Sequence, residues 1–497
     1  MEILYNSTRN DKKTYHSSHC INVGLSDEGG LFIPNAISKI KFDYKKLLNS
    51  NYNEIAKSIL SEFFTDFTTE QISTSVDNAY NIDNFDSEKI FDVTFLDNKL
   101  AVLELFHGKT LAFKDAALSI LPHLMNVAKK NCNDLTDTLI LTATSGDTGK
   151  AALEGFKDVD GIDVIVFYPY NGVSDLQKMQ MLTQEGKNVY AFAVKGNFDD
   201  TQTAVKNIFN NSEFKEKLYN DTNRKLSSAN SINIGRLVPQ IVYYYYTYVE
   251  LIKNGKIKED ELVNFCVPTG NFGNILAGYY AKLMGLPINK LLCASNDNNI
   301  LTDFFNTGEY DTNRPFVKTI APSMDILISS NLERFLYHKL NSCDELVKLM
   351  QDLKDNKKYI FENSQILCDE FYANYCSERE IYETIKKVYD KYQYILDTHT
   401  ATSYNIYEKY VSETNDLTYT VLVSTASPYK FANSVCNSLT SSFDCNDGIA
   451  AIDLLNKLSN IPIPKSISNI KDRVSKEETV ITVDEMMDKI LEVMKGR

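Results

Sequence analysis

Residues 138–156 read Thr138-Leu-Ile-Leu-Thr-Ala-Thr144, then Ser145-Gly-Asp-Thr-Gly149, then Lys150-Ala-Ala-Leu-Glu-Gly-Phe156. A short apolar run, a small polar turn and a helix former follow one another without a break. That succession is a strand delivered directly into a helix, the repeating half of a parallel sheet. It recurs on both sides. Residues 100–105 form a strand candidate, followed by a helix candidate over 116–130 with Leu118, Leu121, Met125 and Ala128 at helical spacing. Strands are predicted at 162–167 and 189–194, with a helix over 174–185 and a long helix capped by Asp199-Asp200. A second series holds strands at 262–267, 291–294, 394–396 and 418–423. Its helices include 236–253, apolar nearly all round and so expected to be buried, and 275–284. The fold class is therefore α/β, with two lobes built on parallel sheets covered on both faces. Ligands of such sheets bind beyond the carboxyl ends of the strands.

Outside the two series, residues 1–95 read as an N-terminal unit, with a helix over 43–64 and the turn Asp27-Glu-Gly-Gly30 before Leu31-Phe-Ile-Pro34. The expected division is 1–95, a smaller lobe at 96–225 and a larger lobe at 226–497 with a helical insertion at about 300–390. Thr482-x-x-Glu485 reads as a capping box before a closing helix with Met486, Met487, Ile490, Leu491 and Met494 on one face.

The 497 residues carry a net charge of -14 and no compensating basic run, which argues against a nucleic-acid partner. No apolar run reaches the roughly 18 residues of a spanning helix, and Met1 to Arg9 lacks a basic region followed by an apolar core. The nine cysteines are scattered and include no C-x-x-C pair, as in a reducing, cytoplasmic setting. Asn6-Ser7-Thr8 fits a glycosylation acceptor, which carries no meaning in that setting. His16, His19 and Cys20 lack a second ligand pair, so no metal site is expected.

Phe106-His-Gly-Lys-Thr-Leu-Ala-Phe-Lys114-Asp115 places one lysine behind Leu111, Ala112 and Phe113 and before an acid. In a dry pocket a lysine is drawn toward its neutral amine, which acts as nucleophile or base and condenses with an aldehyde cofactor. A surface lysine beside a helix start is the plain alternative. Gly270-Asn-Phe-Gly-Asn274, between a strand and a helix, is either a tight turn or a backbone cradle for phosphate. Residues 144–149 carry the same two readings. They are not an NTP-binding P-loop, because Gly146 is too close to Gly149 and Ala151 stands where Ser or Thr is required. Ser228-Ala-Asn-Ser-Ile-Asn233 precedes a helix with Arg236 on its first turn, and capping and anion binding fit equally well. His399-Thr-Ala401 and Ser424-Thr-Ala-Ser427 close two late strands, with hydroxyls for a cofactor ring or for a helix cap.

Together these stretches resemble the long form of threonine synthase. The resemblance is carried by the Lys114 motif, Thr142-Ala-Thr-Ser-Gly-Asp-Thr-Gly149, Ser231-Ile-Asn-Ile-Gly-Arg236 with Gln240, and Pro268-Thr-Gly-Asn-Phe-Gly-Asn274. Ser323-Met-Asp-Ile326, Ser329-Ser-Asn-Leu-Glu-Arg334, His399-Thr-Ala401, Ser7-Thr-Arg9 and Gly29-Gly-Leu-Phe-Ile-Pro34 match in the same order. It implies a pyridoxal-phosphate enzyme of fold type II, tryptophan-synthase-β-like, with an N-terminal domain and a helical insertion. The implied reaction turns O-phospho-L-homoserine and water into L-threonine and phosphate by γ-elimination and β-hydration.

The resemblance also implies roles. Lys114 is the cofactor-bearing and proton-shuttling lysine. Backbone N–H groups of Gly270, Asn271, Phe272, Gly273 and Asn274 surround the cofactor phosphate, with Asp147 near its ring hydroxyl and Thr425 near its pyridine nitrogen. Thr144, Ser145, Gly146 and Thr148 receive the substrate carboxylate; Asn230, Ser231 and Arg236 receive the substrate phosphate. The chain departs from the family with Ser427 and Tyr429 in Ser424-Thr-Ala-Ser-Pro-Tyr-Lys-Phe431, with Asn10 after Ser7-Thr-Arg9, and with Lys109 in Phe106-His-Gly-Lys-Thr110. A related lyase that omits water addition is the neighbouring reading. A non-catalytic relative would be expected to have lost Lys114 or the glycine loop. The expected state is a cytoplasmic monomer or homodimer with a small-molecule substrate.

Overall fold

The computed structural model describes residues 2–37, 44–144, 147–173, 175–340, 342–362, 364–440, 448–459, 461–468, 470 and 475–496. Its strands are Tyr5–Ser7 (β1), Asn10–Tyr15 (β2), Phe32–Pro34 (β3), Asp92–Phe95 (β4), Leu100–Glu104 (β5), Asp137–Ala143 (β6), Ile162–Pro169 (β7) and Val189–Val194 (β8). They continue with Arg224–Ser227 (β9), Val263–Pro268 (β10), Ile288–Ser295 (β11), Glu309–Asp311 (β12), Lys358–Ile360 (β13), Phe371–Tyr375 (β14), Thr420–Ser424 (β15) and Val480–Ile481 (β16). Among the described residues a larger sheet has the order β14-β11-β10-β15-β5-β4, and a smaller one β16-β8-β7-β6-β9. Every pairing in them is parallel except β4 with β5. The α/β, parallel-sheet reading holds. The N-terminal unit carries the antiparallel sheet β2-β1-β3.

The two large sheets cut across the lobe boundaries expected from sequence. Strand β5, placed in the smaller lobe by its position at 100, pairs with β15 along the larger sheet from Leu100 opposite Thr420 to Glu104 opposite Ser424. Strand β16, placed in the larger lobe by its position near 480, pairs with β8 in the smaller one. Sequence order does not encode sheet membership, because a parallel strand inserts wherever its crossover connection lets it.

Several element boundaries move for local reasons. The single helix expected at 43–64 is two, because the Asn51 side chain accepts the Glu54 amide and starts a new helix at Tyr52–Phe63. The helix expected at 116–130 divides into Lys114–Leu118 and Leu121–Asn131, the second with Pro122 in its first turn. Asn197, not Asp199, caps the helix Phe198–Asn210, and Asp200 returns the bond to the cap's own amide. Residues 394–396 form no strand; they are an extended lead into Asp397, which caps the helix Thr398–Thr414. The insertion is not purely helical: it holds β14, which buries Phe371 and Ala373 on one face, and the hairpin of β12 with β13.

The helix Pro239–Lys253 is buried all round as far as Leu251, as its composition requires. It lies between the N-terminal helix Tyr52–Phe63 and the helix Gly273–Leu283 that follows the glycine loop. Its tyrosines are buried, and the hydroxyl of Tyr248 donates to the Glu261 carbonyl at 3.0 Å and that of Tyr244 to Asn274 Oδ1 at 2.8 Å. The closing helix Met486–Lys495 buries Met486, Ile490, Leu491 and Met494. No helix among the described residues is long and apolar enough to cross a membrane.

Candidate active site

The motifs stand at carboxyl ends of parallel strands, where open sheets accept ligands. β5, β15 and β10 are neighbours in the larger sheet, and their ends lead into the Lys114 loop, residues 425–430 and the glycine loop. β6 and β9 are neighbours in the smaller sheet, and they lead into residues 144–149 and 228–236.

Lys114 is half-buried at the start of the helix Lys114–Leu118. The loop before it is held on both sides. Asp115 turns back to take the Thr110 amide at 2.9 Å and the Thr110 hydroxyl at 2.7 Å. Burial pushes the Asp115 carboxyl above its ordinary range, against those two bonds. A side chain at Gly108 would fall on the Asp115 carboxylate, so the turn requires glycine. Leu111 has φ 58°, a left-handed conformation that is strained for a branched residue. Across the loop the Phe113 amide donates to the Thr425 carbonyl at 2.9 Å, the Ser427 amide to the Leu111 carbonyl at 3.0 Å and Lys430 Nζ to the Thr110 carbonyl at 2.7 Å. The residues just before Lys114 are thus paired with the segment that carries Thr425. The departures at Ser427 and Tyr429 are absorbed locally. The Ser427 hydroxyl accepts the Tyr429 amide, and the Tyr429 hydroxyl is bonded to the Ile461 carbonyl.

The glycine loop is tight for a reason. A Cβ on Gly270 would stand 3.0 Å from the Ser323 carbonyl and 3.2 Å from Met324 Cα, both backbone atoms. Phe272 takes φ 62° as the cap of the helix Gly273–Leu283 and drives its ring against Phe305, Phe335 and Phe371. That anchor turns the first amides of an eleven-residue helix toward the strand ends. Asn274 is buried; its Oδ1 accepts the hydroxyls of Tyr243 (2.7 Å) and Tyr244 (2.8 Å), and its Nδ2 has no partner among the described residues. Ser323 over Gly270 is held in turn, its amide donating to His399 Nε2 at 3.1 Å. The His399 proton therefore sits on Nδ1, 3.0 Å from Asp397 Oδ1.

Arg236 is the most unusual charge in the set. It is 5% exposed, donates from Nη1 to the Ala229 carbonyl at 2.6 Å, and leaves Nε without a partner among the described residues. Burial pulls the guanidinium down to about 10. A buried cation with a carbonyl in place of a carboxylate is costly until an anion arrives. Its short helix Ile234–Leu237 packs on the Lys114 helix and on the helix of the glycine loop. Ser231 is half-buried and accepts from Asn331 Nδ2 at 3.4 Å. Asn230 is exposed, so its side chain is not gathered into this cluster.

Ser145 and Gly146, and the side chains of Asp147 and Thr148, lie outside the described residues. Thr144 is buried at the end of β6, and its hydroxyl accepts the Gly149 amide at 3.0 Å. The helix Asp147–Gly155 packs on Lys114–Leu118, close enough that a Cβ on Gly155 would reach 2.5 Å from the Leu118 carbonyl. The roles of Asn331, Arg334, Asp397 and His399 were not legible as roles. The bonds of His399 to Ser323, of Asn331 to Ser231 and of Arg334 to Phe32 span 76, 100 and 302 residues, and a hydrogen bond across such a distance leaves no local pattern.

Known proteins share this arrangement. Residues 4–80 match the family described as threonine synthase N terminus, and residues 96–425 the family described as pyridoxal-phosphate dependent enzyme. Threonine synthase-like 1 of Homo sapiens is 40% identical over 437 residues, which are 85% of this chain and 58% of that protein. The chain thus spans less than two thirds of that relative. Threonine synthase of Schizosaccharomyces pombe is 36% identical over 479 residues, covering 90% of this chain and 91% of the relative. The crystal structure of PLP-bound threonine synthase from Brucella melitensis superimposes with a TM-score of 0.88 at 32% identity, covering 100% of this chain and 99% of that one.

Proposed function

Since the chain belongs to the threonine synthase family of pyridoxal-phosphate-dependent enzymes, we propose that it converts O-phospho-L-homoserine and water to L-threonine and phosphate. The observation that carries the reading is Arg236, a buried guanidinium with an unpartnered Nε. A hydroxy-amino-acid substrate brings a single anionic group, its carboxylate, whereas a phosphate ester brings a second one that supplies the missing charge and acceptors.

The residues present fit the cofactor. The Gly270 cradle has no room for a side chain, the helix behind it offers free first-turn amides, and Asn274 Nδ2 is a buried donor without an acceptor among the described residues. Backbone amides of Gly270 to Asn274 would hold its phosphate, Lys114 its aldehyde carbon, Thr425 the nitrogen side of the ring and Asp147 the ring hydroxyl. When bound, pyridoxal phosphate supplies the electron sink that makes the substrate's Cα–H acidic.

The chain's own residues do the rest. Lys114 Nζ, displaced by the substrate amine, removes the Cα proton and later returns protons to the carbon chain. The loop before it is fixed by Asp115, Thr425 and Lys430, so the lysine side chain starts from a held backbone. Arg236 and Ser231 bind the phosphate and stabilise the dianion as it leaves Cγ. Thr144, Ser145, Gly146 and Thr148 hold the substrate carboxylate. The reaction ends a threonine-forming sequence, and the reading includes a cytoplasmic monomer or homodimer.

The test is product analysis with O-phospho-L-homoserine and pyridoxal phosphate. Threonine and phosphate are expected in equal amounts. Lys114→Ala should abolish turnover and the visible absorbance of the protein-linked cofactor. Arg236→Gln should lower kcat/KM by roughly a thousandfold, the scale of a lost charge-assisted contact to a developing anion. A keto acid without threonine would replace this reading with the lyase.

A further inference from the structure

One of the places where the N-terminal unit meets the residues around the site is built on two consecutive charges. Glu333 and Arg334, consecutive in the first turn of the helix Leu332–Leu340, reach it in two directions. Glu333 accepts the Thr8 hydroxyl at 2.6 Å and Nε and Nη2 of Arg9, at 2.9 and 2.8 Å. Arg334 has no exposed surface. Its Nε donates to the Phe32 carbonyl of β3 at 2.9 Å, its Nη2 to the Ile232 carbonyl at 2.5 Å and its Nη1 to Asn331 Oδ1 at 2.5 Å. One guanidinium therefore ties an N-terminal strand to the loop before Arg236 and to Asn331.

Asn331, also without exposed surface, finishes the connection. Its amide and its Nδ2 both reach the Asn271 carbonyl at 3.1 Å, and Nδ2 lies 3.4 Å from Ser231 Oγ. A Cβ on Gly273 would stand 3.4 Å from the same Nδ2. Asn233 adds a second tie, its Nδ2 donating to the Ile21 carbonyl of the N-terminal unit at 3.0 Å. Two loops that each present anion-binding groups are thus spaced by one side chain, and that side chain is clamped by the N-terminal unit.

We propose that the N-terminal unit is a wall of the active site, and that Asn331 and Arg334 are positioning residues through which it sets the distance between the cofactor-phosphate loop and the substrate-phosphate loop. The proposal rests on the reading of those loops given above. A planar guanidinium suits the task because its rigid fork serves three fixed acceptors from three separate nitrogens, whereas a lysine offers all its donors from one freely rotating ammonium.

The experiment titrates apoprotein with pyridoxal phosphate and with pyridoxal, which lacks the phosphate, and measures inhibition by inorganic phosphate. The parent is expected to prefer the phosphorylated form strongly. Asn331→Ala should cut that preference about tenfold, and weaken inhibition by phosphate about tenfold, because it frees both loops. Arg9→Ala, at a side chain one-third exposed and therefore tolerant of change, should cut both about threefold by loosening Glu333. It decides the matter if thermal melting shows Asn331→Ala unfolded. An equal loss of affinity for both forms, with the preference kept, would mean simple destabilisation and overturn the proposal. So would a lost preference with phosphate inhibition unchanged, since the loops would then be independent. A parent without any preference would instead overturn the reading of the glycine loop itself.

Discussion

Asp115 shows how a residue beside the lysine proposed to carry the cofactor acts without touching chemistry. Both carboxylate oxygens are used, one by the Thr110 amide and one by its hydroxyl. Asn at this position sets an NH2 group against one of those donors. Asp115→Asn is therefore expected to cost about 1–3 kcal/mol in denaturant unfolding and to blur the cofactor absorbance band as the Lys114 loop relaxes. An unchanged midpoint and band would show that the loop is held by its neighbours at 425–430 alone. Lys114 itself was legible from its apolar approach and the motif around it. The brace on it was not, because Thr110 and Asp115 are ordinary turn residues until the carboxylate is seen to fold back.

At the scale of elements, the strands and helices that carry the motifs were legible because apolar runs of 4 to 7 residues end in glycine or small polar residues. The misses have physical causes. Phe371–Tyr375 sits among charged helices and shows only a weak period of two. Residues 394–396 have the apolar content of a strand but lead into the Asp397 cap, which fixes them as an approach to a helix. The glycine loop is the element most dependent on backbone space. Gly270→Ala must push back the Ser323 carbonyl at 3.0 Å, an atom of the main chain that His399 holds through the Ser323 amide. Cofactor affinity is expected to fall at least tenfold while the far-UV circular dichroism stays as in the parent; retention of affinity would place the phosphate elsewhere.

Across the whole molecule, the departure at Lys109 becomes intelligible. Lys109 belongs to the loop after β5 in the larger sheet, and it reaches Glu154, 3.6 Å away, on the helix after β6 in the smaller one. Lys150 holds the same carboxylate at 3.1 Å. Burial pushes the Glu154 carboxyl up, but Lys150 and Lys109 outweigh it and hold it near about 2, below its ordinary 4.5. A depressed carboxylate contributes its stability above the unfolded value and loses it as pH falls toward the folded one. Glu154→Gln should thus lose roughly 2–3 kcal/mol at pH 7 and should melt with a shallower decline between pH 5 and pH 3 than the parent. Parallel declines would remove the pair from any part in joining the lobes.

The pairing of β16 with β8 also bears on how the chain is made. Val480 stands opposite Ala193 and Ile481 opposite Val194, so nearly 290 residues separate the partners. During translation the smaller sheet emerges early, yet the open edge of β8 waits until residue 481 has cleared the ribosome. An unpaired edge in a parallel sheet is a template for association with other chains. Slow decoding or premature arrest before residue 480 should therefore leave a nascent lobe that needs chaperone cover, even though all the residues proposed for the chemistry have already been synthesised.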